Sequence, residues 1–521
     1  MAVVLPGSVI ASSDSKLPEA EFSGYAMIGA DIVLGPEGQQ AYGTVPAGAD
    51  GAYTSVERTT TTAVVGTDHA GFARLFLYRS GDRWALGTSL LELAEYARSA
   101  GWPLTADHDQ VISFLLINPV GNQLTSDRTA FHEIRLVPAG ARVEISGGRR
   151  RRASVVPPAP LPAWSSYGGL LREGLWEIAS RARTLLHSGL PLVATANGGR
   201  DFRVVLAALL AGNDTDKSLG ELVRLRADDK NAEHWGTVSQ LATDYSLELN
   251  RRGSVSRAHL EPRAGYALWR RNDLGVYGPI YPYRTDAPEV LLSGSGGEPH
   301  RRVYKSPSMA AVLEQARTED VPSTTLTTLT AAMNSALGTV SRGQDERMVH
   351  FREFRERFHG GRTALRQPVF APLAVGSLRR ASALRDPSGE LGTQISVDVI
   401  RNLAPELLEV PLQPGSKPFP KRQVSAATTV SPKQVVTGRV FGSLSVPKQQ
   451  AERSSNAIEP FAAAFEEAVE RVAGSGLLPS GVLDGARRTV TIAVERGSFE
   501  HAADGQVVGA VILAGEVLRL S

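Results

Sequence analysis

Apolar positions along the chain alternate between short unbroken runs and helix-spaced series, and glycines punctuate them. Leu192 to Ala196 is a short apolar run with a β-branched residue, which predicts a buried strand. Gly198 and Gly199 follow at once, and Val204, Val205, Leu206, Leu209 and Leu210 then predict a helix ending at Gly212. Val290 to Leu292 predicts a second buried strand, which runs into Gly294, Ser295, Gly296 and Gly297. Between the two, Leu222 to Arg226 predicts a third strand. A helix from about Glu233 to Tyr245 follows it, with Asp228 and Asp229 at its start. Strands alternating with helices imply a parallel sheet, whose ligands sit at the carboxyl ends of the strands. Both glycine turns would meet there.

Upstream, the pattern changes. Leu75 to Tyr78, a turn at Ser80-Gly81-Asp82, and Trp84 to Gly87 predict a hairpin, and a helix from Ser89 to about Ala100 follows, ended by Gly101. Residues 1–147 read as a mostly antiparallel, β-rich domain. Residues 148–164 read as a linker, because four arginines (149–152) and the proline-rich stretch Pro157 to Pro162 cluster there. Four basic residues at a hairpin edge or linker predict a solvated surface. Residues 165–425 form the parallel-sheet α/β domain with helical additions, including a polar, helix-rich stretch from 316 to 365 expected to cover the site. Residues 426–521 are expected to form a helical extension packed on that domain. Its signals are a capping box at Asn456–Glu459, an apolar face of Phe461, Phe465, Val469 and Val472, and a further helix between about 500 and 520. The fold class is therefore α+β followed by α/β, in several domains.

Composition narrows the function. The chain has 521 residues, 21% of them charged, with a formal charge of +2. That balance makes no case for nucleic acid as the main partner. No apolar run reaches the roughly 18 residues of a membrane span, and no basic segment precedes the apolar N-terminus. A cytoplasmic protein without membrane contact is the expectation, and a homo-oligomer stays open. There is no cysteine, which removes disulfides, thiolate metal sites and thiol nucleophiles. The 10 histidines show no pair at zinc spacing. His300 is expected in an exposed loop. His350 and His359, flanking Arg352, Arg355 and Arg357, are expected on a solvated helical face, with binding of an anionic substrate as the alternative.

A strand, a glycine turn and a helix N-terminus make an anion site, since backbone N–H groups point outward and the helix dipole favours negative charge. The segment Asn197-Gly-Gly-Arg-Asp-Phe202 has neither the Walker nor the dinucleotide pattern. It resembles the pyrophosphate loop Ser-Gly-Gly-x-Asp-Ser of the asparagine synthetase family, matching at Gly198, Gly199 and Asp201, with Asn197 and Phe202 in place of the serines. Gly294-Ser-Gly-Gly-Glu-Pro299 looks like that family's second signature, Gly-x-Gly-Gly-Asp-Glu, with Glu298 and Pro299 as departures. His69 to Ser89 and Phe131 to Ile145 resemble the family's glutaminase-type (Ntn-type) N-terminal domain. The resemblance spans most of residues 20–425.

What the resemblance implies is an ATP-dependent, AMP-forming ligase that activates a carboxylate and joins it to an amine. Its partners would be a small-molecule or peptide carboxylate and that amine, and its cofactors ATP and Mg²⁺. Glutamine-using members need a cysteine as residue 2, whereas this chain begins Met1-Ala2, so the amine is not expected to come from glutamine. The cysteine-less branch that includes β-lactam synthetases and lasso-peptide cyclases is the nearer likeness. The resemblance places nucleotide contacts at Ala194, Ala196, Asn197, Gly198, Gly199, Asp201, Phe202, Leu225, Gly294, Ser295, Gly296 and Gly297. It places Mg²⁺ on Asp201 and Glu298, and a catalytic lysine at Lys417 or Lys421. A relative that keeps the fold and binds nucleotide or a partner without turnover is the alternative.

Overall fold

The computed structural model describes residues 9–117, 120–146, 151–227, 232–249, 258–281, 284–285, 289–341, 343–412, 419–444 and 456–521. Two antiparallel sheets form the first part. One has four strands, in the order Val9–Ser12, Arg83–Gly87, Phe76–Ser80, Ile134–Leu136. The expected hairpin is its centre, with Tyr78 opposite Ala85. Ser89 caps the next helix, Leu90–Ser99, by accepting from the Glu92 N–H. The other sheet has seven strands: Arg152–Val156, Arg142–Ser146, Thr62–Thr67, Asp50–Arg58, Glu21–Ile28, Asp31–Leu34 and Val440–Phe441. Leu75, Leu77, Trp84, Leu86, Val56, Val65, Val143 and Ile145 come from both sheets and share one buried apolar cluster.

Two boundaries move. Arg152–Val156 pairs along its whole length with Arg142–Ser146, so the first domain continues past 147 into the expected linker. Val440–Phe441 adds a parallel strand beside Asp31–Leu34, so the segment after 425 does not start as a helix but closes the edge of the N-terminal sheet. An edge strand leaves its N–H and C=O groups unpaired, and covering it removes that cost.

The second part is a five-stranded, wholly parallel sheet. Its strands are β1 (Leu192–Ala196), β2 (Val223–Ala227), β3 (Glu248–Leu249), β4 (Val290–Leu292) and β5 (Val369–Phe370), in the order β3-β2-β1-β4-β5. In register, Ala194 lies between Leu225 of β2 and Leu292 of β4. Helix α1 (Tyr167–His187) leads into β1, α2 (Arg200–Gly212) follows it, and α3 (Ala232–Asp244) joins β2 to β3. Helices α4 (Gly376–Arg385) and α5 (Gln394–Leu403) follow β5. One apolar cluster runs from Tyr25, Met27 and Ile32 of the seven-stranded sheet through α1 to the parallel sheet and α5. The two parts therefore share a core.

The C-terminal helices α6 (Glu459–Val472), α7 (Ser480–Arg496) and α8 (Ala502–Leu520) pack on residues of the 165–425 stretch, as expected, and also on the first domain. Phe461, Phe465 and Val469 are buried, as their spacing requires. Their cluster joins Trp269 and Tyr277 of the 165–425 stretch with Phe76, Tyr78 and Leu90 of the first domain, away from the parallel sheet itself. The expected capping box is absent. Asn456 accepts from the Ile458 N–H at 3.0 Å and donates to the Val494 carbonyl at 2.7 Å, tying α6 to the end of α7. Among the described residues, no helix is long and apolar enough to cross a membrane.

Candidate functional site

The strand order reverses between β1 and β4, because β2 and β3 lie to one side of β1 while β4 and β5 lie to the other. In open parallel sheets the crevice at the carboxyl ends of such a strand pair is where ligands bind. Both glycine turns start there. Gly198 has φ +67°, a left-handed conformation that a side chain disfavours. A Cβ on Gly198 would also stand 2.6 Å from the Thr237 methyl of α3. Gly199 is the N-cap of α2, and its N–H is taken by the Asn197 side-chain oxygen at 3.0 Å. The first α-helical bond of α2 runs from the Arg203 N–H to the Gly199 carbonyl. The N–H groups of Arg200, Asp201 and Phe202 precede it and have no partner within the helix.

The second turn meets the first directly. A Cβ on Gly297 would lie 2.7 Å from the Asp201 carboxylate, and one on Gly294 would lie 2.9 Å from the Asp201 Cβ. Glycine at both positions is what allows this approach. Gly296, at φ +92°, packs on the other side against the backbone of Ala374. Ser293 Oγ accepts from the Ser295 N–H at 3.1 Å and pairs with the Ser295 hydroxyl at 2.7 Å, while Ser295 itself is exposed.

Two carboxylates converge on this contact. Burial first, then the charge of Glu298, pushes Asp201 up to about 6, against the pull of Arg301 and Arg200. Glu298 opens a single 3₁₀ turn, is partly exposed, and approaches Arg301 at 4.0 Å. Such mutual repulsion is relieved by a divalent cation. Two carboxylates are also what Mg²⁺ takes from a protein when phosphates and water supply the rest. Among the described residues, no group of three or more His, Asp or Glu side chains forms a metal cluster.

Several expected residues stand differently. The Phe202 ring is 1% exposed and lies in the core beneath α2, so this position can offer a ligand its N–H and not its side chain. Ala194 and Leu225 are buried mid-strand, with neighbouring strands on both sides. A base could not reach them, and the rim falls instead at Ala196, the last residue of β1. Lys417 lies outside the described residues, as do Asp228 and Asp229. Lys421 begins a short surface helix, Lys421–Ser425, and makes no hydrogen bond or ion pair with either turn among the described residues.

His300 is not in an exposed loop. It is 2% exposed and donates from Nε2 to the Leu373 carbonyl at 2.8 Å, and burial lowers it to about 4. It is a neutral brace under the second turn. The 350–359 stretch is likewise no solvated face: His350, Phe354, Arg357 and Phe358 are buried, and His359 alone of these five is exposed. The helix loosens to π geometry over Phe351–Glu356, where one extra residue per turn rotates side chains inward. Buried Glu356 there pairs with Arg379 at 2.5 Å. Burial raises Glu356 above the ordinary carboxylate range, and the charge of nearby Glu298 adds to that against Arg379.

Other contributors were missed. Arg203 is fully buried and donates to the Leu407 carbonyl at 3.1 Å, the Val410 carbonyl at 2.8 Å and the Pro411 carbonyl, with a long contact to Gly198 at 3.5 Å. Burial lowers it to about 10, so it stays charged. It ties the base of the first turn to the chain after α5. At the domain junction, Asp50 accepts from Arg181 at 2.6 Å and from the Gly376 N–H at 2.9 Å, and His69 Nε2 lies 2.9 Å from the Ala374 carbonyl. Although burial opposes ionisation, Arg181 and His69 hold Asp50 well below the usual carboxylate range. Ala374 is thus held between His69 of the first domain and Gly296 of the second turn. An arginine inside an apolar helical stripe and a histidine next to an aspartate were the only signals in the sequence, and neither has a spacing rule.

Neither protein-family models nor curated proteins give a match to this chain.

Proposed function

We propose that the chain is an asparagine synthetase-like, ATP-dependent, AMP-forming ligase that makes an amide bond with an amine from a source other than glutamine. The observation that carries the reading is the contact of Asp201 with Gly297, which brings two glycine turns and two carboxylates to one crevice at the strand-order reversal. Asp201 and Glu298 would hold Mg²⁺. The N–H groups of Arg200, Asp201 and Phe202 are suited to phosphate oxygens and gain from the dipole of the 13-residue helix behind them. Arg200 and Arg301, whose charges act on Asp201, add positive potential at the same place. Bound Mg·ATP supplies the electrophilic phosphorus that activates a carboxylate. The protein's part is to orient it and to stabilise the leaving pyrophosphate.

One observation favours nucleotide binding without turnover. The side chain at 202 turns into the core, so the start of α2 lacks the hydroxyl that the resembling loops carry. Incubation with ATP, Mg²⁺ and mixed carboxylates and amines separates the readings. Equal release of AMP and pyrophosphate, without glutamate release from glutamine, is expected of the ligase. Tight Mg·ATP binding with no pyrophosphate in any mixture would leave the non-catalytic reading. Absence of Mg·ATP binding would remove both.

A further inference from the structure

The helical run from 351 to 364 has a second working side, away from Glu356. Arg362 lies over the Tyr281 ring at 3.9 Å and over Tyr277 at 5.5 Å, and the two tyrosines stack with centroids 6.3 Å apart. Arg362 Nε is buried with no hydrogen-bond partner among the described residues. Arg355 spends one donor on Gln123 Oε1 at 2.9 Å. Among the described residues, neither arginine forms an ion pair with an acid. Asp273, whose charge reaches Tyr277, is itself faced by Arg74 at 3.9 Å. Among the described residues no carboxylate pairs with these two guanidinium groups, and both are partly exposed, so they add positive potential to this surface.

His359 adds a neutral polar ring. Its side chain opens to solvent, yet surrounding protein, with Arg355 and Arg362 beside it, lowers the imidazole to about 4. Burial raises Tyr277 to about 12, and its hydroxyl hydrogen-bonds with His359 Nδ1 at 2.8 Å. The other ring nitrogen, Nε2, makes no hydrogen bond among the described residues. Tyr281 is 37% exposed and provides an aromatic edge beside these donors.

We propose that Arg362, His359, Tyr277 and Tyr281 form a surface cluster that binds the carboxylate of an anionic small-molecule substrate, with its planar or apolar body along Tyr281. The guanidinium keeps its in-plane donors while its face rests on the ring, which suits a planar carboxylate better than a lysine would. The ligand's role as a substrate rests on the ligase reading, but the binding itself does not. On this geometry the same helical run serves two sites: Glu356 faces the Glu298 turn, and Arg362 and His359 hold the second ligand.

The test titrates full-length protein with benzoate, and with benzamide as its neutral counterpart, by ligand-observed NMR. Benzoate should saturate the wild type and bind about tenfold more weakly or worse to R362Q and to Y281A, with partial recovery in R362K. Benzamide should bind at least about tenfold more weakly than benzoate to the wild type. Mg·ATP affinity, measured on the same preparations, should be unchanged in all three variants, which keeps this result separate from the nucleotide site. Melting curves confirm that each variant is folded. Equal benzoate binding by wild type and R362Q, equal binding of benzamide and benzoate, or no benzoate binding by the wild type near its solubility limit would overturn the proposal.

Discussion

The two glycine turns meet at one crevice but are built on opposite principles. The first opens a 13-residue helix whose inner face, from Phe202 to Leu209, is fully in the core. It is rigid, and it offers backbone N–H groups and a dipole. The second opens only a single 3₁₀ turn, Glu298–His300, and has no helix dipole to offer. It offers a charge instead, Glu298, on a loop braced from below by His300 and from the side by Ala374. On the proposed reading this is a division of labour: one turn would supply an anion cradle, and the other the carboxylate that would call for a cation. Asp201 belongs to the first turn and leans on the second, so it registers both.

If the first turn's rigidity comes from its core-facing helix, Phe202→Ala should cost about 3–5 kcal/mol, as deletion of a buried aromatic ring does. Phe202→Ser should cost at least as much and should not raise ATP affinity, because the side chain does not face the crevice. Chemical denaturation checks the first, and nucleotide titration of the serine variant checks the second. A Phe202→Ser protein that is stable and binds ATP more tightly would invert the comparison.

The second turn should break through its backbone rather than its core. Gly296→Ala puts a side chain at φ +92° and a Cβ 2.6 Å from the Ala374 nitrogen. A destabilisation on the order of 3 kcal/mol is expected, read as a lowered Tm. An unshifted Tm would mean that the turn is not held against Ala374.

A smaller effect lies in pH. Asp201 sits at about 6 in the folded chain, above the roughly 4 of an unfolded aspartate, so the folded state holds this proton more tightly. Raising the pH from about 4 through about 6 removes the proton and costs stability. Without Mg²⁺, Asp201→Asn should therefore match the wild type at pH near 4 and exceed it at pH near 8. The gain should be about 1–2 kcal/mol, reduced from the full shift because the carboxylate is partly open to water. A variant less stable than the wild type at the higher pH would show that Asp201 is held by a partner rather than strained by burial and by Glu298.

The smallest change tests the crosstalk alone. Glu298→Gln should move the Asp201 titration midpoint down toward its ordinary value, as followed by carboxyl NMR, with little change in Tm. No movement would place the two carboxylates too far apart to share a cation.

What could be read in advance divides along the same line. β1 and β4 coincide with their expected spans, and α2 ends at Gly212 as expected, because an unbroken apolar run stopped by glycine is a local signal. The meeting of the turns followed from that pattern together with the rule for parallel sheets. Side-chain direction did not. Nothing local tells that position 202 faces the core, or that His300 is buried against Leu373, 73 residues later. Val440–Phe441 pairs with residues some four hundred positions earlier, and a two-residue strand has no periodicity to detect. The inward turn of 351–356 was hidden because its charges read as solvated, whereas the buried ones are paired with one another or with backbone carbonyls.

Whether the two turns form one Mg·ATP site is tested most directly by calorimetric titration of Mg·ATP. Wild type, Asp201→Ala, Glu298→Ala and the double variant are compared at fixed Mg²⁺. Each single change should weaken binding about tenfold or more, and the double change should cost less than the sum because both acids serve one cation. Wild-type binding that survives unaltered in both single variants would contradict a shared site.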